Sequence, residues 1–375
     1  MNNMYLWRYD DVIGKSVNSL IIDIPSPKNF SYYWNFGISL GVFLIIQIVS
    51  GLLLAMCYIS EINISFACVD LIVRDIDYGW CVRNFHSNGA SFFFLCIYLH
   101  MSRGLYYYSF YFVKLWITGV IILILSMAAG FFGYVLPWGQ MSYWAATVIT
   151  NLFSVIPFVG LTVVQWLWGG FAVSLPTLNR FFALHFLCPF IILLVSVIHI
   201  IFLHEKGSSN PLGVVSDSDK IVFAPYYVDK DLYFVLLILM VYCVVSFYFP
   251  YKIINTANFL ESNPLVTPEH IEPEWYLLAP YTILRSVPNK VGGVVMLIMF
   301  FVVLIGLPFY VWNTVRGFSY NLFYQLLFYS WIVNYIFLTW CGSVPAEFPY
   351  IVLSQISCGF FFVFFVIVGL LGLNE

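Results

Sequence analysis

Four of the six histidines form two pairs with one spacing. His86 and His100 are 14 residues apart, and so are His185 and His199. Fourteen residues advance an α-helix by about 21 Å and nearly four turns, so both members of a pair lie on one face. If the two helices run in the same direction, His86 is level with His185, and His100 with His199. Two imidazoles at one level can fill both axial positions of a haem iron, which suits electron transfer rather than oxygen binding.

Glycines repeat this period on the neighbouring segments. Gly37 and Gly51 are 14 residues apart, and so are Gly119 and Gly133. A flat macrocycle that packs against a helix needs a residue without a side chain at its level, so the pattern favours one glycine beside each iron. Ordinary close packing of membrane helices also uses glycine, and this is the alternative interpretation. For the histidines, the alternative is a set of hydrogen-bonded core side chains, although polar groups within a membrane are usually functional.

Two arginines flank the first histidine pair. Arg83 lies three residues before His86, and Arg103 lies three residues after His100. Each would therefore lie outward of its predicted haem, where a propionate carboxylate emerges and a guanidinium can pair with it. The alternative is that both side chains extend to the membrane surface, as long cationic side chains near helix ends often do.

The composition indicates what surrounds these residues. Of the 375 residues, 62% are hydrophobic and 9% are charged, whereas ordinary soluble domains are roughly 25% charged. The chain is therefore predicted to be a membrane protein with several spans. The net charge of −3 gives no reason to expect nucleic acid as a partner. The eight cysteines form no CxxC motif, so no structural zinc or iron–sulfur site is expected within the chain.

Long stretches without charge predict an all-α membrane protein with eight transmembrane helices, of which the first four form a di-haem bundle. The spans run at about Trp34–Tyr58, Asn84–Ser102, Leu115–Leu136, Leu175–His204, Leu232–Phe249, Val291–Val311, Leu322–Cys341 and Tyr350–Leu371. Residues 141–170 are predicted to form short helices on the membrane surface. We divide the chain into an N-terminal surface segment (1–30), the bundle (31–210) and a C-terminal region with four spans (211–375).

The distribution of positive charge predicts the orientation. An even number of spans puts both termini on one side, and that side carries nine of the 15 lysines and arginines. The positive-inside rule then places the termini inside. The first 30 residues have neither the apolar run of a signal peptide nor the composition of a transit peptide. With the high hydrophobicity, this predicts synthesis within an organelle, with a bacterial plasma membrane as the alternative.

Several motifs together resemble cytochrome b of the respiratory ubiquinol–cytochrome c reductase, complex III. Besides the histidine pairs, they are Gly-Tyr-Val-Leu-Pro-Trp-Gly-Gln-Met-Ser (133–142), Ser-Asn-Pro-Leu-Gly (209–213), Pro-Glu-Trp-Tyr (273–276) and Arg-Ser-Val-Pro-Asn-Lys (285–290). The match covers nearly the whole chain. The 14-residue spacing of His185 and His199 is that of the respiratory form, whereas the photosynthetic form has one more residue there.

The resemblance implies two b-type haems and two quinone sites. At an outer site, quinol gives one electron to a Rieske iron–sulfur protein and the other to a low-potential haem, assigned to His86 and His185. That electron crosses to a high-potential haem, assigned to His100 and His199, and reduces quinone at an inner site. The implied partners are the Rieske protein, a cytochrome c1-type subunit, other complex III subunits and lipid, in a dimeric complex in the mitochondrial inner membrane.

The residues themselves are compatible with both quinone sites. Glu274 is a carboxylate in an apolar stretch and could act as a general base toward quinol, although an acidic residue beside a helix N-terminus after proline is also common. The resemblance places seven further residues at the outer site, of which two are catalytic (Tyr134 and Tyr281): Tyr134, Tyr143, Ala145, Pro273, Trp275, Tyr276 and Tyr281. It places four at the inner site: His204, Ser208, Lys230 and Asp231. His suits proton delivery near neutral pH; His270 is given no role.

Three positions depart from the family pattern. The loop at 249–258 lacks the usual acidic turn, Ser209 stands where asparagine is common, and Ala145 replaces a glycine. These departures affect the predicted docking surface and the walls of the two quinone sites.

Two other classes of protein use histidines within membrane helices. A ferric reductase or NADPH oxidase also pairs helical histidines, but it needs flavin and nicotinamide binding, and the chain contains no GxGxxG motif. A transporter could use histidines as proton relays, but nothing in that role requires glycines with the same spacing. An optical spectrum and the choice of reductant distinguish these alternatives.

Overall fold

The computed structural model describes residues 9–311 and 316–371. Thirteen α-helices account for most of these residues, and almost no sheet accompanies them, as predicted for an all-α membrane protein. The helices are α1 Val12–Val17, α2 Phe36–Ala55, α3 Ser65–Asp75, α4 Gly79–Tyr106, α5 Val113–Val135, α6 Gln140–Asn151, α7 Gly160–Trp168, α8 Leu175–Lys206, α9 Tyr226–Tyr248, α10 Trp275–Ser286, α11 Lys290–Tyr310, α12 Leu322–Gly342 and α13 Tyr350–Leu371.

The long helices coincide with the eight predicted spans. Among the described residues, seven helices are long and apolar enough to cross a membrane, namely α2, α5, α8, α9, α11, α12 and α13. The eighth, α4, has 28 residues but also carries Arg83, Asn84, Asn88 and both histidines of the first pair. The lower hydropathy of α4 therefore comes from the polar and charged side chains that could bind a cofactor.

The first four spans form a bundle made of two helix pairs. Helix α2 packs along α4, and α5 packs along α8, while α2 also contacts α8. The C-terminal spans form a second layer in which α12 contacts both α10 and α13, and α11 contacts α5. Large aromatic side chains fill this layer, and the Trp331 ring stacks on Phe364 with 4.9 Å between ring centroids. Such burial gives the C-terminal helices a rigid core.

Short elements connect the spans. The predicted short helices at 141–170 are α6 and α7, and the N-terminal segment contains α1. The sequence analysis missed α3 and a two-stranded antiparallel sheet of β1 Pro25–Pro27 and β2 Lys220–Val222. This sheet joins the N-terminal segment to the loop between α8 and α9. Shorter turns are the 3₁₀ segments Tyr32–Trp34, Ser109–Tyr111, Leu152–Val155, Thr256–Phe259 and Phe318–Tyr320, and a π-turn at Asn18–Ile22.

The loop before α10 is fixed to the start of α6. The Gln140 backbone N–H donates to the Leu260 carbonyl at 2.9 Å, and the Ser262 N–H donates to the Trp138 carbonyl at 3.1 Å. A Cβ at Gly139 would lie 2.4 Å from the Asn258 carbonyl oxygen, so only glycine permits this approach. The contact determines where the chain enters α10 and thus where Glu274 lies.

Candidate redox site

The structure brings the histidines together in the predicted pairs. The ring centroids of His86 on α4 and His185 on α8 are 6.0 Å apart, and those of His100 and His199 are 6.4 Å apart. Two imidazoles that bind one metal ion through bonds of about 2.0 Å place their ring centres roughly 6 Å apart. Both pairs therefore have the separation that axial ligation of one iron requires.

Three of the four rings direct Nδ1 toward an oxygen atom. The pairs are His86 with Ser50 Oγ at 3.0 Å, His185 with the Ala129 carbonyl at 2.9 Å, and His199 with Thr118 Oγ1 at 2.9 Å. An Nδ1–H that donates to such an acceptor leaves Nε2 without a proton and able to bind a metal. The hydrogen bonds thus favour the tautomer that a haem ligand needs.

Arg103 is a buried cation beside the fourth histidine. Its Nη2 lies 3.1 Å from His100 Nδ1, its guanidinium lies over the Trp34 ring at 5.3 Å, and its Nε is buried without a hydrogen-bond partner. None of the ion pairs among residues 9–311 and 316–371 includes Arg103 or Arg83. A buried guanidinium is costly without an anion, so both arginines fit the carboxylates of a haem.

The four periodic glycines lie directly against the imidazoles. A Cβ built on each would approach Cε1 of one histidine, at 3.4 Å for Gly37 and His100, 3.0 Å for Gly51 and His86, 3.3 Å for Gly119 and His199, and 2.5 Å for Gly133 and His185. Each glycine therefore lies at its predicted level, directly beside a histidine ring. The missing side chains make room for the ligand rings, and the sequence alone could not show this.

A methyl group at Gly133 is expected to disturb the outer pair most. Its Cβ would lie 2.5 Å from His185 Cε1, closer than real Cβ contacts, so the ring must shift. Overpacking of this kind typically costs about 1–3 kcal/mol. We expect Gly133→Ala to lose most of the haem at the His86–His185 level in an optical redox titration. Gly41→Ala is the matched control on α2, because no atom lies within 4 Å of its Cβ. Equal haem content in the two variants would contradict this role.

One cavity joins the outer histidine pair to the region of Glu274. It has a volume of about 260 Å³. Its lining includes Gly51, Arg83, His86, Gly133, Tyr134, His185, Glu274 and Tyr276. The ligands assigned from the sequence to an outer haem therefore border the same space as three residues assigned to an outer quinone site, namely Tyr134, Glu274 and Tyr276. His100 and His199 do not line this cavity.

Glu274 is the acidic residue among those that line the cavity. It precedes α10 and follows Pro273, and its side chain is partly buried. Burial raises the pKa of the Glu274 carboxyl from 4.5 to about 7, although the nearby positive charge of Arg83 lowers it and Glu272 raises it. A carboxyl with this pKa can both accept and release a proton near neutral pH.

Of the other residues assigned to the outer site, Tyr134 and Tyr276 line this cavity. The Tyr276 ring is buried and stacks on Phe94 with 4.0 Å between centroids. Trp275 Nε1 donates to Ser91 Oγ at 3.1 Å, and the Tyr281 hydroxyl donates to the Ile271 carbonyl at 3.2 Å. Tyr143 and Ala145 are buried on α6. Neither of them lines the cavity, and Pro273, Trp275 and Tyr281 do not line it either.

The sequence analysis missed Glu272. Its Oε1 accepts a hydrogen bond of 2.6 Å from Asn255 Nδ2, and its Oε2 lies 3.8 Å from His270 Nε2. Asn258 was also missed, although its Oδ1 accepts from both the backbone N–H and the hydroxyl of Ser142 at 3.0 Å. The position of Glu272, two residues before Glu274, was a signal in the sequence. The role of Asn258 depends on docking between distant segments and left no such signal.

Two of the residues assigned to the inner quinone site, Lys230 and Asp231, lie near the N-terminal end of α2. Lys230 Nζ donates to the Phe30 carbonyl at 2.5 Å, and Asp231 Oδ1 accepts from Asn35 Nδ2 at 2.6 Å. His204 on the last turn of α8 and Ser208 just beyond it are partly exposed. The hydrogen bonds described for Lys230 and Asp231 do not include either of them.

Ser209, where asparagine is common in the family pattern, has two hydrogen bonds. Its carbonyl accepts from Trp34 Nε1 at 2.9 Å, and its hydroxyl lies 2.8 Å from Ser109 Oγ. These contacts hold the segment after α8 against the start of α2 and the turn after α4. The backbone here is therefore fixed by groups that do not require asparagine.

Comparisons with known proteins agree with this geometry. Residues 21–207 match the family described as Cytochrome b/b6/petB, and residues 261–362 match Cytochrome b(C-terminal)/b6/petD. The chain belongs to the cytochrome b family. A solved structure described as a hyperthermophilic respiratory Complex III is similar, with 30% sequence identity, a TM-score of 0.91, and 99% of each chain covered. The resemblance drawn from the motifs is thereby confirmed, and the chain is a membrane-bound redox subunit of a family that uses haem b and quinone.

Proposed function

We propose that the chain is the di-haem subunit of a quinol–cytochrome c oxidoreductase. The observation that carries this proposal is the presence of two imidazole pairs, with centroid separations of 6.0 and 6.4 Å, at two levels of α4 and α8. Cofactor-free histidines would need no such equal separation at both levels. When bound, two b haems would supply one-electron transfer between the outer and inner sides of the membrane.

At the outer level, His86 and His185 would hold the low-potential haem, with Arg83 near a propionate. Glu274 would accept a proton from quinol as the quinol is oxidised, because its carboxyl borders the cavity and its pKa is raised to about 7. Tyr134 borders the same cavity and could hydrogen-bond to the quinol ring. Tyr281 would act less directly, since its hydroxyl is bonded to the backbone of the preceding loop.

At the inner level, His100 and His199 would hold the high-potential haem, and Arg103 would pair with its propionate. His204, Ser208, Lys230 and Asp231 would bind quinone or deliver protons to it. The contacts of Lys230 and Asp231 with the segment 30–35 support a built site there. Proton release outside and uptake inside would then contribute to a proton gradient.

The subunit would work only within a larger assembly. Oxidation of quinol at the outer site needs an acceptor for the first electron, and we propose a Rieske iron–sulfur protein in that role, followed by a cytochrome c1-type subunit. The similarity to a chain of a respiratory Complex III supports the presence of other subunits. We further propose that the whole complex is a dimer. We propose ubiquinol as the substrate and the mitochondrial inner membrane as the location, with both termini on the matrix side; a bacterial plasma membrane is the alternative.

A reduced-minus-oxidised spectrum of the native complex tests this function. We expect b-type bands that resolve into two components of different midpoint potential and that quinol reduces. Reduction by NADPH but not by quinol would indicate an oxidase of the flavin-dependent type. Absence of b-type bands would leave a proton-relay transporter as the better explanation and would overturn the proposal.

A further inference from the structure

Ser50 and Thr118 occupy equivalent places on α2 and α5, each directly before a glycine that faces an imidazole. Ser50 Oγ lies 3.0 Å from His86 Nδ1, and Thr118 Oγ1 lies 2.9 Å from His199 Nδ1. We propose that these hydroxyls are positioning residues that fix the tautomer and ring orientation of one axial ligand at each haem level. This inference rests on the proposed haem ligation.

The other hydrogen bonds of the hydroxyls determine which atom donates. Ser50 Oγ lies 2.6 Å from the Ile46 carbonyl, and Thr118 Oγ1 lies 2.9 Å from the Lys114 carbonyl. A hydroxyl has one proton, and when it donates that proton to a carbonyl it can only accept from a third group. The facing Nδ1 must then carry a proton and donate it. Nε2 is then left without a proton.

The glycine that follows each hydroxyl lets the ring reach this acceptor. The Cβ of a larger residue would lie 3.0 Å from His86 Cε1 at Gly51 and 3.3 Å from His199 Cε1 at Gly119. One residue thus orients the ring, and the next makes room for it. The other two periodic glycines follow phenylalanine and have no hydroxyl before them. The hydroxyl–glycine pair therefore marks one ligand at each level.

At each of these two histidines, a backbone carbonyl lies close to the ring in addition to the hydroxyl. The carbonyls of Gln47 and Leu115 also lie close to His86 and His199, respectively. Removal of a hydroxyl should therefore weaken the orientation of the ring and leave the ligand in place. Since an Nδ1–H donor bond makes the imidazole more basic and favours the oxidised iron, its weakening should favour reduction. We expect a three- to tenfold shift of the reduction equilibrium, and tenfold corresponds to 59 mV for one electron.

The test is a potentiometric titration of both b haems in the assembled complex that carries Ser50→Ala or Thr118→Val. Ser50→Ala should raise the midpoint potential of the low-potential component alone, and Thr118→Val that of the high-potential component alone. Ser50→Thr keeps the hydroxyl and should restore the native value. Ser39→Ala is the matched control, because Ser39 is buried on α2 and bonds to the carbonyl four residues earlier, but no described hydrogen bond joins it to a histidine.

The outcomes separate this inference from the proposed function. Loss of one haem component in the matching variant, with recovery in Ser50→Thr, would also support the inference. If both midpoint potentials were unchanged, or if both changed equally, the inference about the hydroxyls would be overturned. The proposed function would still hold in that case, because two b-type components would be present. Absence of b haem from the native complex would overturn the proposed function itself.

Discussion

Replacement of His100 by leucine is expected to remove one haem and to leave the other in place. The imidazole pairs lie at two separate levels, and His100 contributes only to the pair with His199. Leucine has no atom that can bind iron, and a single remaining imidazole cannot fill both axial positions. We expect the b-haem content of the complex to fall by half, with the high-potential component missing from a redox titration.

The reciprocal variant provides the control for this experiment. His86→Leu should remove the low-potential component and retain the high-potential one. In the His100→Leu complex, quinol should still reduce the remaining haem, because the cavity beside Glu274 does not include His100. Loss of the low-potential component from His100→Leu would show that the two levels have been assigned in the wrong order.

Replacement of Glu274 by glutamine is expected to slow quinol oxidation by about 100-fold, at the low end of the effect of losing a general base. Glutamine keeps the shape of the side chain but cannot accept a proton. Because the pKa of Glu274 is raised to about 7, the native carboxyl is mostly protonated below that pH and mostly ionised above it. Native turnover that depends on the base should therefore rise through about pH 7, and turnover of the variant should not.

Steady-state turnover across pH, with haem content measured in parallel, tests this role. Both haems should remain in Glu274→Gln, since Glu274 does not contact a histidine ring in any described hydrogen bond. Glu274→Asp should restore part of the activity and the pH dependence. If the glutamine variant kept the native rate and the native pH profile, another group would have to accept the proton.

The sequence was most informative where a repeated residue spacing determined the geometry. The spacing of His86 and His100 predicts one helical face whatever the surroundings, and the helices and the level-by-level pairing followed from it. The fold was predictable for the same reason, since long apolar stretches in a membrane must be helical. The reason for Gly133 was not predictable, because the helix that presents His185 to it lies about 50 residues further along the chain.

The parts that the sequence did not reveal depend on contacts between distant segments. The hydrogen bonds of Asn258 with Ser142 join residues more than a hundred positions apart, and no local pattern marks them. The pairing of β1 with β2 joins segments that are too short to be recognised as strands. The assignments of Ala145 and His204 to quinone sites stay predictions, because they rest on correspondence with a family and not on a described contact with a ligand.

The arrangement of the bundle in two helix pairs has a consequence for biogenesis. Each imidazole pair takes one ring from α4, which packs on α2, and one from α8, which packs on α5. A cofactor bound by both rings would therefore join the two halves as a cross-link. Each site would stabilise the native bundle by about 2.7 kcal/mol when free cofactor is at 100 times its dissociation constant. Insertion of the helices and supply of cofactor should accordingly be coupled, and chains made during cofactor starvation should be degraded more rapidly.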